Sequence, residues 1–347
     1  VTSVVPPSQR GQVIGLVVSV IYVGLAAGPL IGGYIVDTFG WRYSFLLQLP
    51  LAIVVLYIGF AKVKQEWSAQ RREPFDYRGA ISYSTAILLL CVGVSRLPAP
   101  DSFALLLLSA GMVTLFLRHA RRAPHPIWDI SVFFSSRVFT YSCATSLIMY
   151  SATYANVVLL SLYLQYVKGF SATTAGLLIM IQPVSMAVLS PFIGRLSDRV
   201  EPRVLSSAGI AVTSAGLVLL AALDAGSPPV QVALALLTTG FGFSLFSSPN
   251  ANAIMGSVGP QYAGSASAAV ATTRLLGQLG SMVLVTLVLT LVMGGTEISP
   301  ETRPLLERSV TLTFSIAALI CIPGIFMSLR RGRLHAGSGV PVEDRAN

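Results

Sequence analysis

Charged side chains are scarce in this sequence. Asp, Glu, Lys and Arg make up 11% of its 347 residues, where an average soluble domain carries about 25%. Histidine is limited to His119, His125 and His335, all outside the long apolar runs. Cysteine is limited to Cys91, Cys143 and Cys321, each in a separate run, with no metal-ligand spacing and no disulfide framework. These shortages exclude function classes. An enzyme working inside the membrane needs a base, paired carboxylates or metal ligands converging at one depth, and no Asp, Glu or His falls within the apolar spans drawn below. The sequence therefore reads as a non-enzyme with no cofactor and no metal site, its cysteines serving as small buried hydrophobes.

Apolar surface is what the chain has in abundance. Hydrophobic residues make up 54% of it, gathered in runs of about 20, the number that crosses a bilayer core of about 30 Å at a rise of about 1.5 Å per residue. A soluble helical protein needs a polar face on each helix, and these runs do not provide one. The chain reads as an all-α polytopic membrane protein with ten transmembrane helices, at 11–36, 43–61, 79–97, 102–118, 138–164, 172–194, 204–223, 230–250, 262–293 and 309–329. The basic residues alternate between the two sets of loops. Seventeen of the 23 Lys and Arg share a side with Arg10, Arg71 and Arg72; five (Arg42, Arg96, Lys168, Arg303 and Arg308) lie opposite, and only Arg274 sits deep in a span. The positive-inside rule then places both ends of the chain in the cytoplasm, with the protein in the cell (inner) membrane. The formal charge of +9 is accordingly a topology signal with affinity for anionic membrane lipids, and no nucleic-acid partner is expected. The apolar segment 125–134 is too short to span and is expected at the membrane interface, and 331–347 is expected to be a disordered cytoplasmic tail.

The stretch "GLAAGPLIGG" (24–33) places Gly24, Gly28 and Gly32 on one helix face, with Pro29 removing a backbone hydrogen bond. In lipid, small residues let helix backbones approach, so the stretch is expected to form a helix–helix contact surface with a bend, either a moving seam or a static one. With the "FGWRYSFLLQLP" that follows, it resembles the fifth-helix antiporter motif of the major facilitator superfamily, specifically its fourteen-helix drug:proton antiporter family: Gly24, Gly28, Pro29, Gly32 and Gly33 stand at the motif's positions, and Trp41, Arg42, Phe45 and Pro50 fit the next turn. "GRLSDRVEPR" (194–203) resembles the superfamily's cytoplasmic gating-loop motif through Gly194, Asp198, Arg199 and Arg203, with Glu201 and Pro202 departing from it. "PNANAIMGSV" and "RLLGQLGSM" resemble the family's late helices. The resemblance implies a partial major-facilitator-type bundle lacking four N-terminal helices. Residues 1–61 would be the last two helices of the N-terminal half, 62–137 a two-helix linker, and 138–330 the six-helix C-terminal half. A start at Val1 is what a fragment or an unusual start would give.

By the same resemblance the function would be secondary active export of a small-molecule substrate, amphipathic organic cations or antibiotics, with the proton as coupling ion. A truncated, non-transporting remnant or assembly partner is the alternative. Arg274 would hold a substrate anion or pair with an acid or with carbonyls, since a charge at that depth is costly unless used. On 138–164, Tyr150, Thr153 and Asn156 are candidates for a cavity lining together with Gln182, Asn250 and Gln278; each could equally make an interhelical hydrogen bond. A shift of 253 residues lays Gly24 on Gly277 and Gly28 on Ser281, a weak parallel repeat.

Overall fold

The computed structural model describes residues 9–62, 75–97, 99–124, 126–127, 136–259, 262–294, 296 and 298–332. Among these, ten helical spans are long and apolar enough to cross a membrane. In chain order the helices are α1 (Arg10–Phe39), α2 (Tyr43–Leu46), α3 (Gln48–Lys62), α4 (Tyr77–Ser95), α5 (Pro100–Ala120), α6 (Arg137–Thr153), α7 (Asn156–Leu162), a π-helical turn (Tyr163–Val167), α8 (Ala172–Ile179), α9 (Ile181–Ser197), α10 (Pro202–Ala221), α11 (Pro229–Gly256), α12 (Ala263–Met293) and α13 (Arg303–Arg330). Local chemistry marks several starts. The side chains of Asp76, Ser136 and Ser171 accept from the Gly79, Phe139 and Thr174 amides at the heads of α4, α6 and α8, donors that the first helical turn leaves unmet. Proline opens α5, α10, α11 and α13, where its missing N–H costs nothing.

Helices α6 to α13 pack around one core that includes Met149, Leu159, Leu164, Ile210, Leu217, Leu236, Phe246 and Phe314. Small residues set its tightest seam: a Cβ added at Gly209 would lie 2.6 Å from the Phe246 backbone nitrogen, and one at Gly216 would lie 2.5 Å from Thr239 Cγ2. Helix α1 lies along α8 and α9. Helices α4 and α5 form a hairpin, joined by Ser109 Oγ donating to the Ala86 carbonyl at 2.8 Å; Tyr83 Oη and Thr272 Oγ1, 3.4 Å apart, link it to α12. No residue of α3 is buried.

The ten spans match the expected number but differ at their ends and in their continuity. Helix α1 runs to Phe39 and α13 starts at Arg303, so Asp37, Asp101 and Glu307 sit on outer turns of span helices, where the expectation left every acid outside. The run 138–164 is interrupted at Tyr154 and Ala155, and 172–194 at Met180. The first break frees the Ala155 amide, which donates to Ser281 Oγ on α12 at 2.9 Å. Broken helices persist in membranes only where neighbours satisfy the freed groups. Most of 125–134 lies outside the described residues, as does 333–347. Arg331, expected to open a disordered tail, is instead 1% exposed.

Candidate functional site

Helix α1 meets α8 and α9 along one stripe. Gly11 and Gly15 lie against Gly194 and Ser190, Ser19 Oγ donates to the Ala187 carbonyl at 2.5 Å, the Pro29 carbonyl sits against Gly176, and Gly33 lies against Ala172. Tyr22, also on this stripe, donates through its hydroxyl to Ser247 Oγ of α11 at 2.8 Å. Steps of three and four residues keep these positions on one helix face. The contact surface is therefore not the one expected from spacing. Gly24 and Gly28 stand two residues from Tyr22 and Ala26, about 200° around the helix, and an added Cβ at Gly24, Gly28 or Gly32 would meet nothing within 4 Å. Of the motif, only Pro29 and Gly33 take part in the seam. On α12 the repeat-related Gly277 does pack, since a Cβ there would lie 2.6 Å from Tyr150 Cβ.

Beside the stripe a cavity of about 850 Å³ opens between α1 and the bundle, a size that holds a drug-sized molecule. Gly24, Gly28 and Pro29 form part of its wall. Five of the seven expected polar residues line it together: Tyr150, Thr153, Gln182, Arg274 and Gln278. The rest is mostly apolar, with Leu25, Val157, Ile179, Met186, Phe243 and Met282 from six helices. A smaller pocket of about 150 Å³ shares Tyr22, Tyr150 and Arg274 and adds Ser146, Ser247 and Asn250. The aromatic rings are mutually braced: Phe243 meets Tyr150 edge-on at 5.5 Å and Tyr22 at 6.3 Å between centroids. The Arg274 guanidinium lies 5.6 Å from the Tyr150 ring centroid, within cation–π range. It makes no hydrogen bond and no ion pair among the described residues. No Asp, Glu or His lines either space.

Two expected lining residues are placed otherwise. Asn156 is buried at the head of α7 and lines neither space, and its Nδ2 has no hydrogen-bond partner among the described residues. Asn250 reaches only the smaller pocket and is committed on both sides of its amide: Nδ2 donates to the Ser142 carbonyl at 3.0 Å and to Ser146 Oγ at 2.8 Å, while Oδ1 accepts from Arg331 Nη1 at 2.7 Å. Arg331 also donates to Ser142 Oγ at 3.2 Å and Ser206 Oγ at 3.3 Å, tying α6, α10 and α11 to the end of α13. Burial, partly countered by Glu201, pushes its guanidinium down to about 10, still protonated at neutral pH. Sequence reasoning missed this residue, because an Arg two places past an apolar run looks like a loop charge.

Carboxylates close both ends of the α1 seam. Asp198 accepts from the Gly11 and Gln12 amides at 2.8 and 3.0 Å, at the head of α1. Asp37, at the other end, accepts from the Thr173 amide at 2.7 Å and the Ala172 amide at 3.3 Å, at the head of α8. Both use the partial positive charge of a helix N-terminus. Ser197 and Asn252, 3.3 Å apart, back the first contact from α11. Arg199 and Arg203 extend no side-chain hydrogen bond into it; the Arg203 backbone carbonyl accepts from Ser207 Oγ at 2.6 Å.

The chain that builds this cavity and seam also matches a known protein family in sequence. The family model described as Major Facilitator Superfamily matches residues 1–284. The chain belongs to this superfamily. As one of its members it is a multi-pass membrane protein of a transporter family, not of an enzyme family. Its relatives include the uncharacterized transporter YebQ of Escherichia coli, 30% identical over 82% of this chain and 63% of the relative. The riboflavin transporter RibZ of Clostridioides difficile is 28% identical over 80% of this chain and 60% of the relative. The multidrug resistance protein Stp of Mycobacterium tuberculosis is 27% identical over 96% of this chain and 61% of the relative. The chain thus spans about three fifths of the length of the curated relatives it matches.

Proposed function

We propose that this chain works in a secondary active transporter that exports amphipathic drugs or related small organic compounds by proton antiport and alternating access. The observation that carries the reading is the 850 Å³ cavity, whose lining joins α1 to the bundle and mixes aromatic and aliphatic walls with a few polar groups. In this reading α1–α3 close the N-terminal half, α4 and α5 are the linker, α6–α13 form the C-terminal half, and both ends of the chain are cytoplasmic. The seam between α1 and α8–α9 is the surface on which the halves rock, with Asp198 and Asp37 as releasable latches at its two ends. Relatives named for multidrug resistance and for riboflavin transport support a cargo that is organic and partly aromatic. Membrane lipids contact the apolar outer faces. The lining contains no carboxylate or imidazole, so proton coupling rests on the resemblance to drug:proton antiporters.

Everted membrane vesicles carrying the chain test this directly. Uptake of a fluorescent amphiphile driven by an imposed pH gradient, and collapsed by a protonophore, is the expected result. Uptake unaffected by the gradient overturns proton antiport. No uptake of any amphiphile, from a protein shown to be folded, overturns transport by this chain and favours the non-transporting alternative.

A further inference from the structure

We infer that the cavity selects an anionic amphiphile, an aromatic compound bearing a carboxylate, sulfonate or phosphate group, and that Arg274 is the residue that recognises the anion. The inference rests on the cavity being the substrate site. Arg274 is the charged residue of the lining, and it faces both the large cavity and the smaller pocket. A guanidinium carries five N–H donors and no acceptor. Here none of them meets a protein oxygen, and no carboxylate pairs with the charge among the described residues. The Tyr150 ring at 5.6 Å steadies the head group but supplies no negative charge to pair with it. A half-buried cation left in this condition beside apolar walls is costly, and an oxyanion removes the cost through paired, charge-assisted bonds.

The surroundings match that class of ligand. The smaller pocket beside Arg274 is about 150 Å³ and carries the Ser146 and Ser247 hydroxyls, with room for an anionic head group and the water around it. The rings of Tyr150 and Phe243 stand next to it, able to take the aromatic body. On the far side of Asn250 lies a second buried cation, Arg331, and no carboxylate lines the space between them. Among the described residues the charge that lines this end of the cavity is therefore positive. It opposes an organic cation, the cargo that the family resemblance implied.

Equilibrium binding in nanodiscs tests the inference without requiring transport. The probes are 8-anilinonaphthalene-1-sulfonate, N-phenyl-1-naphthylamine, which has the same rings without the sulfonate, and tetraphenylphosphonium, each corrected for empty discs. The wild-type protein in purely zwitterionic lipid should bind the sulfonate about tenfold more tightly than the uncharged amine. Arg274→Gln should abolish that preference, read as the ratio of the two affinities, and Arg274→Lys should retain part of it. Equal affinities in the wild type, preference for the phosphonium, or an undiminished preference in a folded Arg274→Gln protein overturns the proposal. So does loss of sulfonate binding when anionic lipid is added, which would make a lipid headgroup the anion. A charge preference without gradient-driven uptake would sink the transport reading alone; uptake of the amine equal to that of the sulfonate would sink this one alone.

Discussion

Replacing Arg331 by Ala should destabilise the bundle measurably although the residue follows the last helix. Three effects decide the size. Asn250 Oδ1 loses its 2.7 Å donor and keeps Thr145 Oγ1 at 3.4 Å, which leaves a buried acceptor poorly met, at about 1–3 kcal/mol. The lost stem removes buried methylenes at about 0.8 kcal/mol each. Against these, the folded state no longer pays to desolvate a guanidinium. The net loss is about 2–3 kcal/mol, or roughly 4–12 °C in Tm at about 2–4 °C per kcal/mol. A fluorogenic maleimide read during a thermal ramp reports it, because Cys143 and Cys321 are 2% and 0% exposed and react only on unfolding; Cys91 would first be changed to Ala. Arg331→Met, which keeps the stem and drops the charge, should lose less. A Tm for Arg331→Ala within about 1 °C of wild type, the range of an ordinary surface change, would refute the burial of this side chain. Arg331→Met above wild type would show that desolvation outweighs the hydrogen bonds.

Other perturbations separate the seam from the cavity wall. Gly194→Val, where a Cβ would already lie 2.5 Å from the Gly11 carbonyl, should lower Tm by an amount typical of overpacking, about 1–3 kcal/mol, while Gly28→Ala should leave Tm unchanged; equal effects in the same thermal ramp would contradict the placement of the seam. Asp198→Asn removes the charge facing the head of α1 and should cost about 0.3–1 kcal/mol, seen as faster hydrogen exchange at the Gly11 and Gln12 amides with little change at Ala172. For Asp76, burial opposes the charge, but the Gly79 amide and His119 outweigh it and hold the carboxyl below its usual value. A lowered acid stabilises the fold above its unfolded pKa of about 3.9 and loses that contribution as pH falls through the folded value. The α4–α5 hairpin should therefore open only in acid; Gly79 protection already lost between pH 7 and 5 would contradict this.

The spans were readable because lipid imposes a length and forbids charge, and both leave marks in one dimension. Five polar residues of the cavity were readable for the same reason: Tyr150, Thr153, Gln182, Arg274 and Gln278 stand out against apolar neighbours. What one dimension hides is rotation. Glycines spaced by four define a face but not the partner, and Gly24 and Gly28 turned out to border open space while Gly11, Gly15 and Gly33 took the contact. Asn250 and Asn156 were equally conspicuous in sequence, yet one is consumed by Arg331, 81 positions away, and the other is buried away from the cavity, distinctions set by neighbours distant in sequence. Arg331 was hidden by its position, since α13 runs to Arg330 and delivers the next residue from the expected tail into the bundle.

Cysteine accessibility tests the central claim most directly, that an open cavity lies between α1 and the bundle. In a protein whose Cys91 is Ala, Cys placed at Thr153, Gln182 and Gln278 should react with a water-soluble methanethiosulfonate in intact membranes, while Cys placed at Leu217 and Leu236, both 0% exposed, should not. Inert thiols at all three cavity positions would mean that the chamber is closed or absent.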